Sequence, residues 1–311
     1  MKKFYFLFVV VFSALTISAQ TISEKNMFSG AAASYGESNF KRAPKRVYIS
    51  GFRVNFHVVA GGSASTIDSK TSMTVALDGV DAPDFQKLTD EAYNHFLGDL
   101  KSKGFEIISM EEAAKTEYYA GWIPKEGGTL STSQLKGYVS STPTGYKYLI
   151  KNETSKGKEK TTFVDTSNKL SRELDAASII NVEYSFPLFE IDASKSGLYS
   201  VTSVKAKINY QMGASVRIVS SEKMGKDATM LRTPKNTYLD IEAPVFKDKK
   251  IRESAVAIQN PFGYFQFLSG VERNATHLVT ADHDLYVGEA GRLMKEFSAF
   301  CLNEFYGFSS K

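Results

Sequence analysis

The chain has one cysteine and one tryptophan in 311 residues, only four histidines, and, beyond its first twenty residues, no apolar run near the ~20 residues that a membrane helix needs. A single thiol, Cys301, leaves no internal disulfide and no lipid-accepting cysteine near the start, so the fold must be held by its core alone. Cys301 lies among Phe297, Phe300 and Leu302, where a small apolar core residue is expected rather than a nucleophile. His57, His95, His277 and His283 are scattered and make a poor metal centre. GxSxG, GxxxxGK[ST] and GxGxxG are all absent; AGGSAST (60–66) has glycines and hydroxyls but no lysine and no following helix, and reads as a simple loop. No cofactor is expected. Neither sign of charge dominates: without Lys2 and Lys3, 36 basic face 34 acidic residues, which excludes a general field for nucleic acid. The clusters KRAPKR (41–46), KGKEK (156–160) and KDKKIR (247–252) read as solvated loop ends. No period of about 20–50 residues recurs, which argues against a solenoid or propeller.

What is present begins with Lys2 and Lys3, a 14-residue apolar run from Phe4 to Ile17, and the small residues Ser18 and Ala19. This is the pattern of a signal peptide over 1–19 cleaved after Ala19, and it implies a secreted or periplasmic protein of bacterial type with no membrane span after cleavage. The segment 20–45 lacks periodicity and is expected to be a mobile leader. An α/β domain is expected over 46–225, with 226–311 adding strands and a closing helix packed on the same domain.

Alternation in RVYISGFRVNFHVV (46–59) predicts a strand with a bulge or bend at Gly51, and TSMTVAL (71–77) predicts another. In DAPDFQKLTDEAYNHFLGDLKSKG (81–104), Phe85, Leu88, Ala92, Phe96 and Leu100 form one helical stripe, opened by Asp81 with Pro83 and closed by Gly104. FEIIS continues as a strand, and Ser109 and Glu112 have capping-box spacing for a short helix from Met110 to about Tyr119. The Gly/Ser-rich segment 121–160 reads as a flexible insertion or edge hairpin with YKYLI (146–150) as its strand. SNKLSRELDAA (167–177) is a helix leading into SIINVEYSFPLFEI, which Pro187 divides. VTSVKAKINYQMGASVRIVSSE (201–222) reads as a hairpin turning at Met212-Gly213. VAIQNPF (256–262) and THLVTA (276–281) are strand candidates, and a helix closes the chain from about Tyr286 to Phe305. The order predicts an α/β (α+β) fold, a mixed sheet packed by amphipathic helices.

The triplet Asp282, His283 and Asp284 lies where the last strand meets the closing helix. Aspartate there satisfies free N–H groups at the helix start, so capping is the expected role; a metal or acid/base site including His277 is the alternative. Gly288 and Gly291 in that helix suggest close crossing of another backbone. NPFGYFQFL (260–268) places Phe262, Tyr264, Phe265 and Phe267 together: either a strand buried on both faces or an interaction surface for protein or glycan.

RVYISGF, then DFQKLTDEAYNHFLGDLKSKG with FEIIS, then LDAASIINVEY and VKAKINYQMGASVRIV, together covering 46–112 and 170–222, resemble the periplasmic α/β domain of CsgG-type and TolB N-terminal-type bacterial envelope proteins. The resemblance implies envelope assembly or transport through protein contacts without catalysis, and it transfers no site residue. The chain departs from that pattern in lacking a lipid-accepting cysteine, in the insertion at 121–160 and in its last third. The expectation is a noncatalytic exported protein whose partner is another envelope or secreted protein, or a second copy. An exported glycan hydrolase using paired carboxylates, or a membrane-inserting assembly, is the alternative; any two of the 34 acidic residues could meet in a cleft.

Overall fold

The computed structural model describes residues 37–65, 70–161, 166–195, 202–221, 228–232, 238–241, 245–246, 252–259, 265–267, 270–272 and 274–309. The described chain opens with α1 (Glu37–Arg42), β1 (Arg46–His57), β2 (Val59–Ser65), β3 (Lys70–Asp78) and α2 (Ala82–Ser102). Next come β4 (Glu106–Ile107), α3 (Met110–Ala113) and a 3-10 turn at Glu117–Tyr119. The segment 121–160 holds β5 (Ile123–Glu126), β6 (Tyr138–Ser141), β7 (Lys147–Ile150), β8 (Asn152–Glu153) and β9 (Glu159–Lys160). After α4 (Ser167–Glu173) follow β10 (Ser178–Phe186), β11 (Phe189–Lys195), β12 (Thr202–Ile208), β13 (Gln211–Ser221), β14 (Ala228–Arg232) and β15 (Tyr238–Asp240). The last third holds β16 (Arg252–Gln259), β17 (Phe265–Phe267), β18 (Gly270–Glu272), β19 (Asn274–Thr280) and α5 (His283–Ser309).

β1 is the axis of the main sheet. β10 runs parallel along one side of it, and β13 pairs antiparallel with β10 and carries β14 and β15. On the other side two short strands meet β1 from its two ends: β4 parallel at Arg46–Val47 and β6 antiparallel at Val54–His57. The register of β1 slips between Ile49 and Gly51, the expected bulge. The slip lets Val47 and Ile49, then Phe52, Val54 and Phe56, all enter one core despite the odd step between Ile49 and Phe52. A Cβ at Gly51 would collide with the Asn181 amide.

α2 and α5 cover that core. The α2 stripe Phe85, Leu88, Ala92, Phe96 and Leu100 is buried as its spacing predicts, and Asp84 accepts the Asp81 N–H at 2.9 Å to start the helix. α5 buries Ala290, Leu293, Phe297, Cys301 and Phe305. A Cβ at Gly291 would stand 3.4 Å from Leu88, while one at Gly288 would meet nothing within 4 Å, so only Gly291 marks the crossing. The opposite face of β1 and β10, at Tyr48 and Ile179, is covered by Leu170 and Leu174 at α4, with Ala113, Tyr119 and Leu149. The mixed α/β architecture is therefore helices on both faces of a mixed sheet.

The second sheet has the order β16-β19-β3-β2, with β19 parallel to β3 and the other pairs antiparallel. Three neighbouring strands of the main sheet run on beyond it, and one of them enters this second sheet. β1 continues after Val58 as β2, β10 after Pro187-Leu188 as β11, and β13 is preceded across Asn209-Tyr210 by β12. β2 turns away to pair with β3, while β11 and β12 pair with each other. The two hairpins meet face to face: a Cβ at Gly62 would collide with Ile191, and Val204 is the next neighbour.

Five expectations are corrected. The runs of 201–222 are not hairpin arms turning at Met212-Gly213; they form one interrupted line that pairs with 178–195 through β11 and β10. Equal length and alternation in a neighbour outweigh a lone glycine, and Gly213 simply sits opposite Ser185. AGGSAST is not a loop but most of β2, since the site of Gly62 leaves no room for a side chain. The fold starts before Arg46: Phe40 on α1 is buried, edge-on to Phe305 at 5.5 Å. The segment 121–160 is no loose insertion, because β6 joins the main sheet and Tyr146, Tyr148 and Ile150 enter its core. Its strands of two to four residues are too short to show a period. In KGKEK, Glu159 is not a solvated loop end; it pairs with Arg53, its side chain only 10% exposed.

Candidate functional site

The polar triplet resolves into a cap and a bridge. Asp282 Oδ1 accepts the Leu285 N–H at 3.3 Å and its carbonyl accepts the Tyr286 N–H at 2.8 Å, so it opens α5 as an N-cap. His283 reaches Asp284 Oδ1 through Nδ1 at 2.9 Å and Asp84 Oδ1 through Nε2 at 3.2 Å. The imidazole thus ties the first turn of α5 to the first turn of α2. Its hydrogen bonds to Asp284 and then Asp84 hold its pKa above the ordinary histidine value, although the ring is half exposed. His277 instead pairs with Thr276 Oγ1 at 2.8 Å. Among the described residues no group of three His, Cys, Asp or Glu could hold a metal ion.

Phe262 and Tyr264 lie outside the described residues, as do the side chains of Phe265 and Phe267; their backbone forms β17, paired with β18.

His57 has a role that its sequence neighbours do not reveal. It ends β1, at the level where β10 gives way to β11, and its Nδ1 accepts the N–H groups of Leu188 (3.2 Å) and Phe189 (3.3 Å). Tyr138 stacks on the ring at 4.3 Å. Burial pushes its pKa down to about 4, so the neutral ring is the form that serves the two donors. The only local signal is Pro187, which breaks a ladder and leaves the following amides needing an acceptor.

Between β4 and β6 one side of β1 has no strand partner among the described residues, and two clefts flank the tyrosines that fill this gap. Tyr146 donates its hydroxyl to the Ile49 carbonyl at 2.8 Å, replacing a strand neighbour. One cleft, about 310 Å³, is lined by Tyr48, Tyr93, Tyr146 and the Glu111–Lys147 ion pair. The other, about 160 Å³, contains Arg53, Tyr148, Glu159 and Glu183. There Arg53 and the Tyr148 hydroxyl occupy the two oxygens of Glu159, and Asn55 donates to Glu183 at 2.7 Å. Charged groups in both clefts are therefore engaged by protein partners.

The hairpin module is the other distinctive surface. One face of β11 and β12 turns Ile191 and Val204 toward β2; the other carries Glu190 opposite Lys207, Asp192 opposite Lys205, and Ser194 hydrogen-bonded to Ser203 at 2.8 Å. Glu190, Asp192, Lys205 and Lys207 are exposed. A two-stranded ribbon is marginal by itself, so it is held by its inner face and by continuity with the main sheet. No helix among the described residues is long and apolar enough to cross a membrane. No family model matches the chain, and neither does any curated protein or solved structure.

Proposed function

We propose that the protein is an exported, noncatalytic component of the cell envelope or secreted space that works by protein–protein contact through its hairpin module. The observation that carries this reading is the module itself: three strands run beyond the main sheet into two facing hairpins, in which β2, β11 and β12 each keep, among the described residues, one edge without a strand partner. Such edges are templates for an added strand. The four charges on the outer face of β11–β12 argue against lipid contact along that face.

The test has two arms. Protein recovered from outside the cytoplasm is expected to begin at Gln20. A photo-cross-linking residue at Lys205 is expected to capture one discrete protein species in intact cells, whereas the same residue at Glu91 on α2 captures none. Equal yields at both positions, or an uncleaved leader on protein confined to the cytosol, would end the reading.

A second reading, glycan hydrolysis by paired carboxylates, is favoured by one observation: Glu159 grips Arg53, and Glu183 is the cross-strand neighbour of that same arginine. It requires that Glu159→Gln and Glu183→Gln each abolish release of reducing ends from a polysaccharide panel. No release by the unaltered protein would dismiss it.

A further inference from the structure

We infer that β2 is the edge along which two copies of this chain join, by antiparallel strand pairing centred on Ser63; this deepens the contact reading above and rests on it. The direction of the edge is fixed by hydrogen bonding. Val59 N–H reaches the Gly137 carbonyl, on the side of β1 where β6 lies, whereas the Val58 carbonyl accepts from Leu77 N–H of β3. Backbone groups alternate along a strand. Gly61, Ser63 and Ser65 therefore aim their N–H and C=O groups away from β3, and among the described residues nothing pairs with them.

The edge is also undefended. Strand edges are normally protected by charge, proline or a bulge, and three other strands of this molecule carry such groups: Pro124, Lys125 and Glu126 on β5, Glu190 and Asp192 on β11, Lys205 and Lys207 on β12. β2 reads VAGGSAS, without charge or proline, and its register with β3 runs from Val59 to Ser65 without a slip.

Three features point to a second copy as the occupant. The three edge-facing residues are symmetric about Ser63, so pairing Gly61 with Ser65 of the other copy and Ser63 with its equivalent satisfies all of them, with roughly six backbone hydrogen bonds. The inward-facing residues Gly62 and Ala64 then lie opposite each other, small enough for both β11–β12 hairpins to keep their seats. The outer face of β11–β12 carries two acidic and two basic residues, Glu190 and Asp192 against Lys205 and Lys207, so it neither repels its own copy nor favours a partner of one charge. The second sheet would pass from four strands to eight across a two-fold axis.

Sedimentation velocity and light scattering on the purified exported chain, from 1 to about 100 μM, test the inference. A dimer is expected. Ser63→Pro, which removes an edge N–H but no β2–β3 hydrogen bond, should weaken dimerisation at least about tenfold with an unchanged far-ultraviolet spectrum. Ser65→Lys should do the same by placing two charges at the joint, and it decides the matter if the proline variant does not fold. A monomer throughout the range, or a dimer indifferent to the variants, overturns the inference. The contact reading survives that result if the Lys205 cross-link in cells persists with a different protein, and falls with it if the cross-link is absent as well.

Discussion

The main sheet and the hairpin module are built from the same three strands, yet they are held in different ways. Along the main sheet the core is aromatic: Phe52, Phe56, Phe85, Phe96, Phe186 and Phe297 are fully buried, and Phe56 stacks between Phe85 (4.4 Å) and Phe186 (5.4 Å). In the module the facing residues are Ala60, Gly62 and Ala64 against Ile191 and Val204, with exposed charge on the outer side. Burial energy scales with apolar area, at about 25 cal/mol per Å², so the helix-covered sheet carries most of the stability and the module borrows from it through continuous strands. The lesson is that a β-strand inherits its stability from what covers it, and the same backbone line can be buried core at one end and exposed ribbon at the other.

That contrast can be broken in order of expected effect. Phe56→Ala should lower unfolding free energy by about 3–5 kcal/mol, because it empties a stacked aromatic site that helices cannot collapse into; chemical denaturation showing less than about 1 kcal/mol would remove the main sheet from its leading place. Next comes acid. Unfolded His57 titrates near 6.5, whereas the folded ring stays neutral down to about 4. Between those values the unfolded chain takes up a proton that the folded one refuses, so stability falls as pH falls from 6.5 to 4, by about 3 kcal/mol in all, and this contribution is constant above 6.5. His57→Phe should flatten that slope in denaturation midpoints measured across the window, and an unchanged slope would assign the acid loss elsewhere.

Smaller effects separate the module from the body. Ile191→Ala should cost about 1–2 kcal/mol and raise amide exchange in β11, β12 and β2 while leaving β1 and β10 protected. Uniform acceleration in all five strands would mean that the module is not an independent opening unit. The smallest effect is at His283. Its folded pKa is raised, so its bridge from Asp284 to Asp84 contributes fully below about pH 6.5 and is lost as pH rises through the folded value. His283→Gln should therefore lower the melting temperature at pH 5.5 and leave it unchanged at pH 8.5; the same decrement at both would indicate packing rather than charge.

Much of the body was legible residue by residue. α2 announced itself through a five-residue apolar stripe between Asp81 and Gly104. The bulge of β1 lay at its only glycine, and Pro187 marked the point where β10 gives way to β11. Ser109 caps α3 by accepting the Glu112 N–H at 3.1 Å, as the spacing predicts. Illegible were features whose cause lies in a distant partner. Gly61 and Gly62 look like a turn until Ile191 fills the space above them. Tyr146 looks like an ordinary strand residue until its hydroxyl takes the place of a missing strand beside Ile49. His57 gave no sign of a partner because its two donors lie more than 130 positions away.

The sequence by itself determined the class of fold, the long helices with their buried faces and the capping role of Asp282, because periodicity and local hydrogen bonding act within a few residues of one another. Only the tertiary structure decided that β1 and β10, paired in parallel, part company as they continue into β2 and β11, that His57 serves the junction, and that among the described residues no strand pairs with the outer edge of β2. Those outcomes depend on which surfaces meet across the molecule, and a chain's local pattern holds no record of its neighbour's shape.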